Sequence, residues 1–475
     1  MSNFIFKKLA NQTLIYGIPS VIGRFLNYLL VPIYSRIFLP KEYGIVTELY
    51  AYAAFFSIIL LYGMETSFFR FYKDKKHKNT SGTIIFSVIF TSLIFTLVSF
   101  LSSEKIANWF NYTTQLSTVV LYIKIFIFIL SIDSVNTILF TKIRADEKPI
   151  KFATIKTINI FFNIFFNFYF LIILGKTEIV YIFYSNLIAT TISFVLLFPD
   201  LIKTKLKLDL KLLKQILFYG IPLLLAGFAG IINEASDRIL LKKFISTELN
   251  VMHEIGVYGA CYKLSIAIII FLQAYKLAVE PMIFDKKNMN KIIYAKMLNY
   301  FVIVGTVILL IILMYIDYFK FFIGPKFHEG ITIVPILLFA NLFFGIYYSL
   351  SVWYKITDKT MYGAVFSVLG AIITIIINII FIPEFGYLAS AWATFICFFS
   401  MALASYIVGR KNYKIPYNIP KITTYLFLSF VFYKLSLLDI QMISKEIIRL
   451  FLLFTYMLII FIIEKKYSIY ENKNT

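Results

Sequence analysis

Histidine is almost missing from this chain. His77, His253 and His328 are all that 475 residues contain. They fall in predicted loops far apart, without metal-ligand spacing, so no metal site is expected. Cysteine is scarcer still: Cys261 and Cys397 lie inside different predicted helices. No disulfide is expected, and nothing about redox compartment follows. Acidic residues number 25 against 46 Lys and Arg, and charged residues make up only 15% of the chain. Long polar stretches are also absent. The ends and loops between apolar runs are short, which excludes a separate soluble domain. No loop on the side opposite the termini greatly exceeds ~15 residues, so there is no room for the catalytic loop of a multi-helix polymerase or ligase. No cofactor is expected.

What is present is apolar. Sixty percent of residues are hydrophobic and 19% aromatic, which places the chain in a membrane. Runs of roughly 17–25 apolar residues, each able to cross about 30 Å of hydrocarbon, recur along the whole length. Fourteen are read, near residues 12–36, 45–67, 82–102, 116–140, 152–174, 179–198, 215–240, 256–278, 299–320, 331–354, 361–383, 386–409, 422–438 and 447–463. The first carries Arg24 at its middle and no small-residue cleavage site follows it, so it is read as a retained helix. The excess of basic residues concentrates in loops on one side, as in Arg70–Lys78 and Lys203–Lys214. That asymmetry sets orientation by the positive-inside rule, places both termini in the cytoplasm, and removes the need for a nucleic-acid partner.

The chain repeats itself. Tyr16–Pro19 and Tyr219–Pro222 both read YGIP. After each come an arginine (Arg36, Arg238), a glycine (Gly44, Gly256), a glutamate (Glu65, Glu280) and a basic exit (Asp74–Lys76, Asp285–Lys287). Thr141-Lys142-Ile143 before Asp146 pairs with Tyr354-Lys355-Ile356 before Asp358, and Asn167 with Asn378. Six helices separate the YGIP copies, an even number, so both lobes insert in the same orientation. The predicted fold is an all-α integral membrane protein of about fourteen helices. Two six-helix pseudo-repeats in parallel orientation, 1–201 and 202–410, precede extra helices 13 and 14 with a cytoplasmic tail at 411–475. Substrate sites in duplicated transporters lie between the lobes.

The stretch Pro32–Tyr50, PIYSRIFLPKEYGIVTELY, resembles the polysaccharide biosynthesis proteins, the oligosaccharide-lipid flippases of the MATE-like exporter superfamily. Gly63–Phe71, Asp237-Arg238-Ile239, Ile255–Tyr258 with Tyr262, the Lys142–Lys148 loop and the Phe385–Ala391 turn are similar to the same family. The 241–255 loop departs from its counterpart at 37–44, being longer and more charged. The resemblance implies alternating access by a flippase. Its cargo would be an undecaprenyl-pyrophosphate-linked oligosaccharide, moved from the cytoplasmic to the outer leaflet of a bacterial inner membrane for O-antigen, capsule or a similar polymer. Partners so implied are that lipid-linked oligosaccharide, membrane lipids, a coupling cation (proton or Na⁺), and other polysaccharide-assembly proteins. A cation-coupled multidrug exporter of the same superfamily is the nearest alternative, against which the excess of basic intramembrane residues argues. A multi-helix polymerase or ligase and a multi-helix receptor are more distant.

Charges inside helices cost ~2.5–3.5 kcal/mol each on insertion scales, so each needs a reason. Arg24 suits a phosphate through paired hydrogen bonds, with pairing to Asp133 as the structural alternative. Lys124 and Asp133 are nine residues apart, on opposite faces of one helix. Asp133 is read as a counter-charge and Lys124 as a snorkelling or ligand-contacting residue. Lys156 and Lys263, each read as about one turn from a helix end, are substrate-contact candidates that snorkelling would equally explain. Glu234 and Arg238 share a face at i and i+4 with Asp237 adjacent, and are candidates for a gate or a helix-stabilising pair. Glu65 and Glu280 are expected to pair with Arg70 and Lys276. The aromatic run Phe161–Phe170 is expected to face lipid or pack.

Overall fold

The computed structural model describes residues 21–72 other than Arg24, 79–245 other than Thr113, 251–284, 291–438 and 444–473. By internal contacts the chain divides into two units. The first comprises Met1–Lys243 with Thr247–Gly256, and the second Phe244–Ser246 with Val257–Thr475.

The first unit contains α1 (Val31–Ile37), α2 (Pro40–Leu61), α3 (Met64–Tyr72), α4 (Thr80–Leu101) and α5 (Ser103–Phe110). There follow α6 (Leu116–Ala145), α7 (Pro149–Phe168), α8 (Val180–Ile202) and α9 (Leu210–Phe244), whose last residue falls to the second unit. A π-turn, Tyr169–Ile173, ends α7. Proline at the first turn opens α1, α2 and α7, where its missing N–H costs nothing. Helix α10 (Val251–Leu264) straddles the two units. The second unit holds α11 (Ile266–Phe284), α12 (Lys291–Met314), α13 (Ile316–Phe319), α14 (Val334–Leu350) and α15 (Val352–Ile356). It ends with α16 (Met361–Phe385), α17 (Tyr387–Asn412), α18 (Ile419–Ser436) and α19 (Lys445–Lys473).

Among the described residues, eleven spans are long and apolar enough to cross a membrane, and α10 with α11 makes a twelfth if their bent pair is one span. The predicted fourteen is therefore not reached. Residues 12–20 and Arg24 of the first predicted span, with Tyr16–Pro19, lie outside the described residues, and the thirteenth, α18, does not meet the same test.

Three local expectations need correction. The run 256–278 is not one straight helix: it breaks at Ser265 with a bend of 47°. No glycine or proline marks the break. Ser265 Oγ donates back to the Tyr262 carbonyl at 2.7 Å, and Asn341 Nδ2 donates to Ser265 O at 3.1 Å. A side chain from α14 thus satisfies a carbonyl that a straight helix would use, which is what a break in an apolar setting requires. The predicted 241–255 loop is mostly helical, because α9 runs to Phe244 and α10 begins at Val251. His253 accordingly sits on a helix.

Two apolar clusters stack along the first unit. One gathers Phe38, Leu49, Phe110, Phe126 and Phe183; the other gathers Phe68, Ile84, Leu139, Leu197 and Ile216. Helices α6 and α8 contribute to both. On α6 the first cluster ends at Ile129 and the second resumes at Val135, and the interval holds Ser131, Asp133 and Ser134. On α8 the interval between Phe183 and Leu197 holds Asn186, Thr190 and Ser193. The apolar core is thereby split by a polar layer partway along the spans.

Candidate functional site

Asp133 is the charge of that layer. It is half-buried on α6, close to Thr190 of α8, and lies in the electrostatic field of Lys156 on α7. Lys156 begins the third turn of α7 rather than sitting one turn from its end, and its Nζ stands 4.3 Å over the Phe140 ring. A stem that deep holds its ammonium against an aromatic face, in the field of a carboxylate, instead of snorkelling to water. The helix start at Pro149, earlier than the apolar run suggests, accounts for the difference.

Further along the same helix stand Asn159, Asn163 and Asn167, spaced four apart and so aligned on one face. Asn159 Nδ2 donates to the Ala189 carbonyl at 3.0 Å and to Ser193 Oγ at 2.8 Å. Asn163 Nδ2 donates to Asn27 Oδ1 at 3.2 Å, and Asn167 receives the Tyr34 hydroxyl at 2.8 Å. The row changes character along its length. Asn167 is fully buried and bonded, whereas Asn163 is half-buried and Asn27 exposed. Exposed amides along a membrane span are costly against hydrocarbon. The opposite side of α7 carries Phe161, Phe165 and Phe168, all exposed, which is the lipid-facing or packing surface expected of that run.

Lys124 is not brought to this layer. Its Nζ sits 4.6 Å over the Phe100 ring of α4, half a turn away from Asp133 as the nine-residue spacing requires. Arg24 lies outside the described residues. Lys263, in the second unit, is half-buried two residues before the Ser265 break. Asn378, the predicted counterpart of Asn167, is likewise fully buried and accepts from Ser390 Oγ at 2.7 Å.

A second charged group collects where α2 begins and α9 ends. Arg238 donates to Asp237 Oδ1 at 2.7 Å and to the main-chain carbonyl of Glu234, whose side chain is exposed. One turn on, Lys242 Nζ lies 2.9 Å from Glu48 Oε1, and Glu48 is completely buried. The Tyr112 hydroxyl donates to Glu48 Oε2 at 2.8 Å, and Lys242 stacks 4.2 Å over the Tyr112 ring. Burial and the adjacent carboxylate push the Tyr112 phenol well above its ordinary range, which keeps the donated proton in place. Glu48 escaped the sequence reading because it stands near a helix start. Only its burial and its partner nearly two hundred positions away distinguish it.

Beside this group the duplicated glycines meet. A Cβ on Gly44 would stand 1.9 Å from the Met252 carbonyl oxygen, and a Cβ on Gly256 would stand 1.9 Å from that of Pro40. The contact is reciprocal, each glycine facing the carbonyl four residues before the other. Gly63, at φ +77°, meets the second YGIP in the same manner, since its Cβ would stand 2.3 Å from the Gly220 carbonyl. Glu65 pairs with Arg144 at 3.2 Å, while Arg70 lies over Tyr219 and Lys276 over Tyr348. Those two cations therefore rest on aromatic faces, and the expected Glu65–Arg70 pair is replaced by a partner on α6. The side chain of Glu280 lies outside the described ones.

The chain matches the model of the family described as polysaccharide biosynthesis protein over residues 9–286. No curated protein matches it in sequence. Among solved structures it is similar to the lipid II flippase MurJ in an inward closed conformation. That match has TM-score 0.72 and 18% identity, over 94% of this chain and 98% of that one. It is similar also to a multidrug resistance MATE family transporter of the MOP superfamily, inward-facing. There the TM-score is 0.67 at 13% identity, over 85% of this chain and 97% of the other. A third is a mutant of the Vibrio cholerae MATE transporter VcmN, with TM-score 0.58 and 13% identity, over 86% and 97% respectively. At these identities the likeness is one of fold.

Proposed function

The chain belongs to the polysaccharide biosynthesis protein family, and from that premise we propose that it moves a lipid-linked oligosaccharide across a bacterial inner membrane by alternating access. The observation that carries this reading is the half-open amide row of α7 beside a mid-span cation. Sugar hydroxyls both donate and accept, and an amide offers both in return. Asn27 and Asn163 supply such groups on a surface that hydrocarbon would penalise. Lys156, with Arg24 of the first predicted span, supplies positive charge for the linking pyrophosphate. The polyprenyl tail needs no polar partner and stays in lipid.

Transport runs from the cytoplasmic to the outer leaflet, both termini are cytoplasmic, and the product is a surface polymer of the O-antigen or capsule kind. Asp133 is the carboxylate available to a coupling proton or Na⁺, and Lys263, at the break in the second unit, is the second cation offered to cargo. Lys156 beside Asp133 disfavours an organic cation as cargo, which separates this reading from a drug exporter.

A strain deleted for this gene tests the proposal. Loss of surface polymer with accumulation of the lipid-linked repeat unit, both restored by the wild-type chain, is expected. Restoration should fail with Arg24→Ala at normal protein abundance, and only partly return with Arg24→Lys, since a point charge lacks the planar fork. Unchanged polymer with increased sensitivity to cationic drugs would reverse the reading.

A further inference from the structure

The first unit contains a cavity of about 390 Å³ bounded by α2, α4, α5 and α6, apart from the polar layer. Tyr52, Phe56, Phe95 and Ile127 are among its walls, and Lys105 is the only charged side chain among the described residues that line it. Trp109 and Phe56 border it while remaining 66% and 39% exposed, so the cavity reaches the outer surface of the spans. Helix α5 is short and two-faced. Ala107 and Phe110 point inward, whereas Glu104, Lys105 and Asn108 are exposed, which suits a helix lying at headgroup level between two spans. Lys105 has no ion-pair or hydrogen-bond partner among the described residues.

We propose that this cavity holds one acyl chain of an anionic phospholipid, with the headgroup phosphate seated on Lys105. A void walled by aromatic and aliphatic groups and open toward lipid takes hydrocarbon in preference to water. The lone lysine at headgroup level supplies the charge complement, so the occupant is an anionic lipid rather than a zwitterionic one.

The occupant also bears on the charged group behind it. Phe110 lines the cavity, and Lys242 stands 4.9 Å over the same ring while holding Glu48. Tyr112, which donates to Glu48, stacks on Phe110 with centroids 5.4 Å apart. A chain filling the cavity therefore braces α5 and the Phe110–Tyr112 corner against the Glu48–Lys242 pair.

Trp109 reports occupancy directly. Full-length protein is placed in phosphatidylcholine vesicles containing either brominated phosphatidylglycerol or brominated phosphatidylcholine. The tryptophan signal is taken as the difference between wild type and Trp109→Phe, which removes the contributions of Trp353 and Trp392. Brominated phosphatidylglycerol should quench Trp109 with about fivefold higher apparent affinity at equal mole fraction, the preference expected of one lysine at an anionic surface. Lys105→Gln should bring the two lipids to parity, Lys105→Arg should keep the preference, and Ala53→Leu, which fills the cavity, should abolish it. Equal quenching of the wild type by both lipids would mean general lipid contact only and overturn the proposal. Quenching relieved by a polyprenyl phosphate but not by unlabelled phosphatidylglycerol would assign the cavity to a cargo tail and overturn it as well.

Discussion

Gly44 and Gly256 face one another, each lying against the backbone of the other's helix. The Cβ positions would fall 1.9 Å from Met252 O and Pro40 O. Only residues without a side chain permit this approach, and it is reciprocal.

Alanine at either position should therefore destabilise, by ~1–3 kcal/mol as overpacking usually does. The sign is informative, because an unhindered helical Gly→Ala stabilises by roughly 0.5–1 kcal/mol. Gly230, with nothing within 4 Å of its Cβ position, is the internal control. Unfolding midpoints in detergent should fall for Gly44→Ala and Gly256→Ala and stay level or rise for Gly230→Ala. The Gly44/Gly256 double variant should cost less than the sum, since one seam opens once.

Glu48 and Lys242 should behave as a buried pair. Removing one partner leaves an uncompensated charge and costs ~3–5 kcal/mol, while replacing both costs far less. Glu48→Gln and Lys242→Met should each lower the unfolding midpoint, and the double variant should recover much of the loss. A double variant whose loss equals the sum of the two single losses would show that the pair is not coupled.

Asn163 and Asn167 should separate function from folding although they are one turn apart. Asn163→Leu should reduce surface polymer strongly at normal protein abundance, with Asn163→Gln intermediate. Asn167→Leu breaks a buried network with Tyr34 and should lower abundance instead. Full export by Asn163→Leu would remove the amide row from the cargo path.

Much of this was legible in the sequence, for physical reasons that can be named. Apolar runs of membrane length report helices directly, and Asn167 and Asn378, paired in the sequence, are both buried and hydrogen-bonded. The four-residue spacing of Asn159, Asn163 and Asn167 was equally readable as one helical face, but polar amides in an aromatic run are easily passed over. The break at Ser265 was not readable, because Asn341 on a distant helix supplies the compensating bond. Nor was the division between units. Contacts of α9 with Ile58 of α2 and with Gly63 tie nearly all of it to the first unit. Long-range partners decide such features, and single-sequence periodicity carries no information about them.

Acid should loosen the last helix at one point. Asp317 accepts from Arg449 of α19 at 2.8 Å and from Lys320 at 3.1 Å, and these donors, Arg449 first, hold its carboxyl below the ordinary range. A depressed carboxyl contributes stability that is complete above the unfolded value, ~3.9, and disappears as pH falls through the lower folded value. Asp317 is 52% exposed, so solvent screening limits the contribution to less than about 1 kcal/mol. Asp317→Asn should lower the unfolding midpoint slightly at neutral pH, and the difference from wild type should shrink as the medium is acidified below the ordinary carboxyl range. A difference independent of pH would contradict the pairing.

The central claim, transport of a lipid-linked oligosaccharide, is tested most directly in proteoliposomes of purified protein. A fluorescent polyprenyl-pyrophosphate oligosaccharide is placed in one leaflet, and its arrival in the other is read by an impermeant quencher. Protein-dependent transfer that Asn163→Leu and Lys156→Gln slow, while Lys124→Gln leaves it unchanged, is the predicted result. Transfer no faster than in protein-free vesicles, together with protein-dependent uptake of a fluorescent organic cation, would contradict the account.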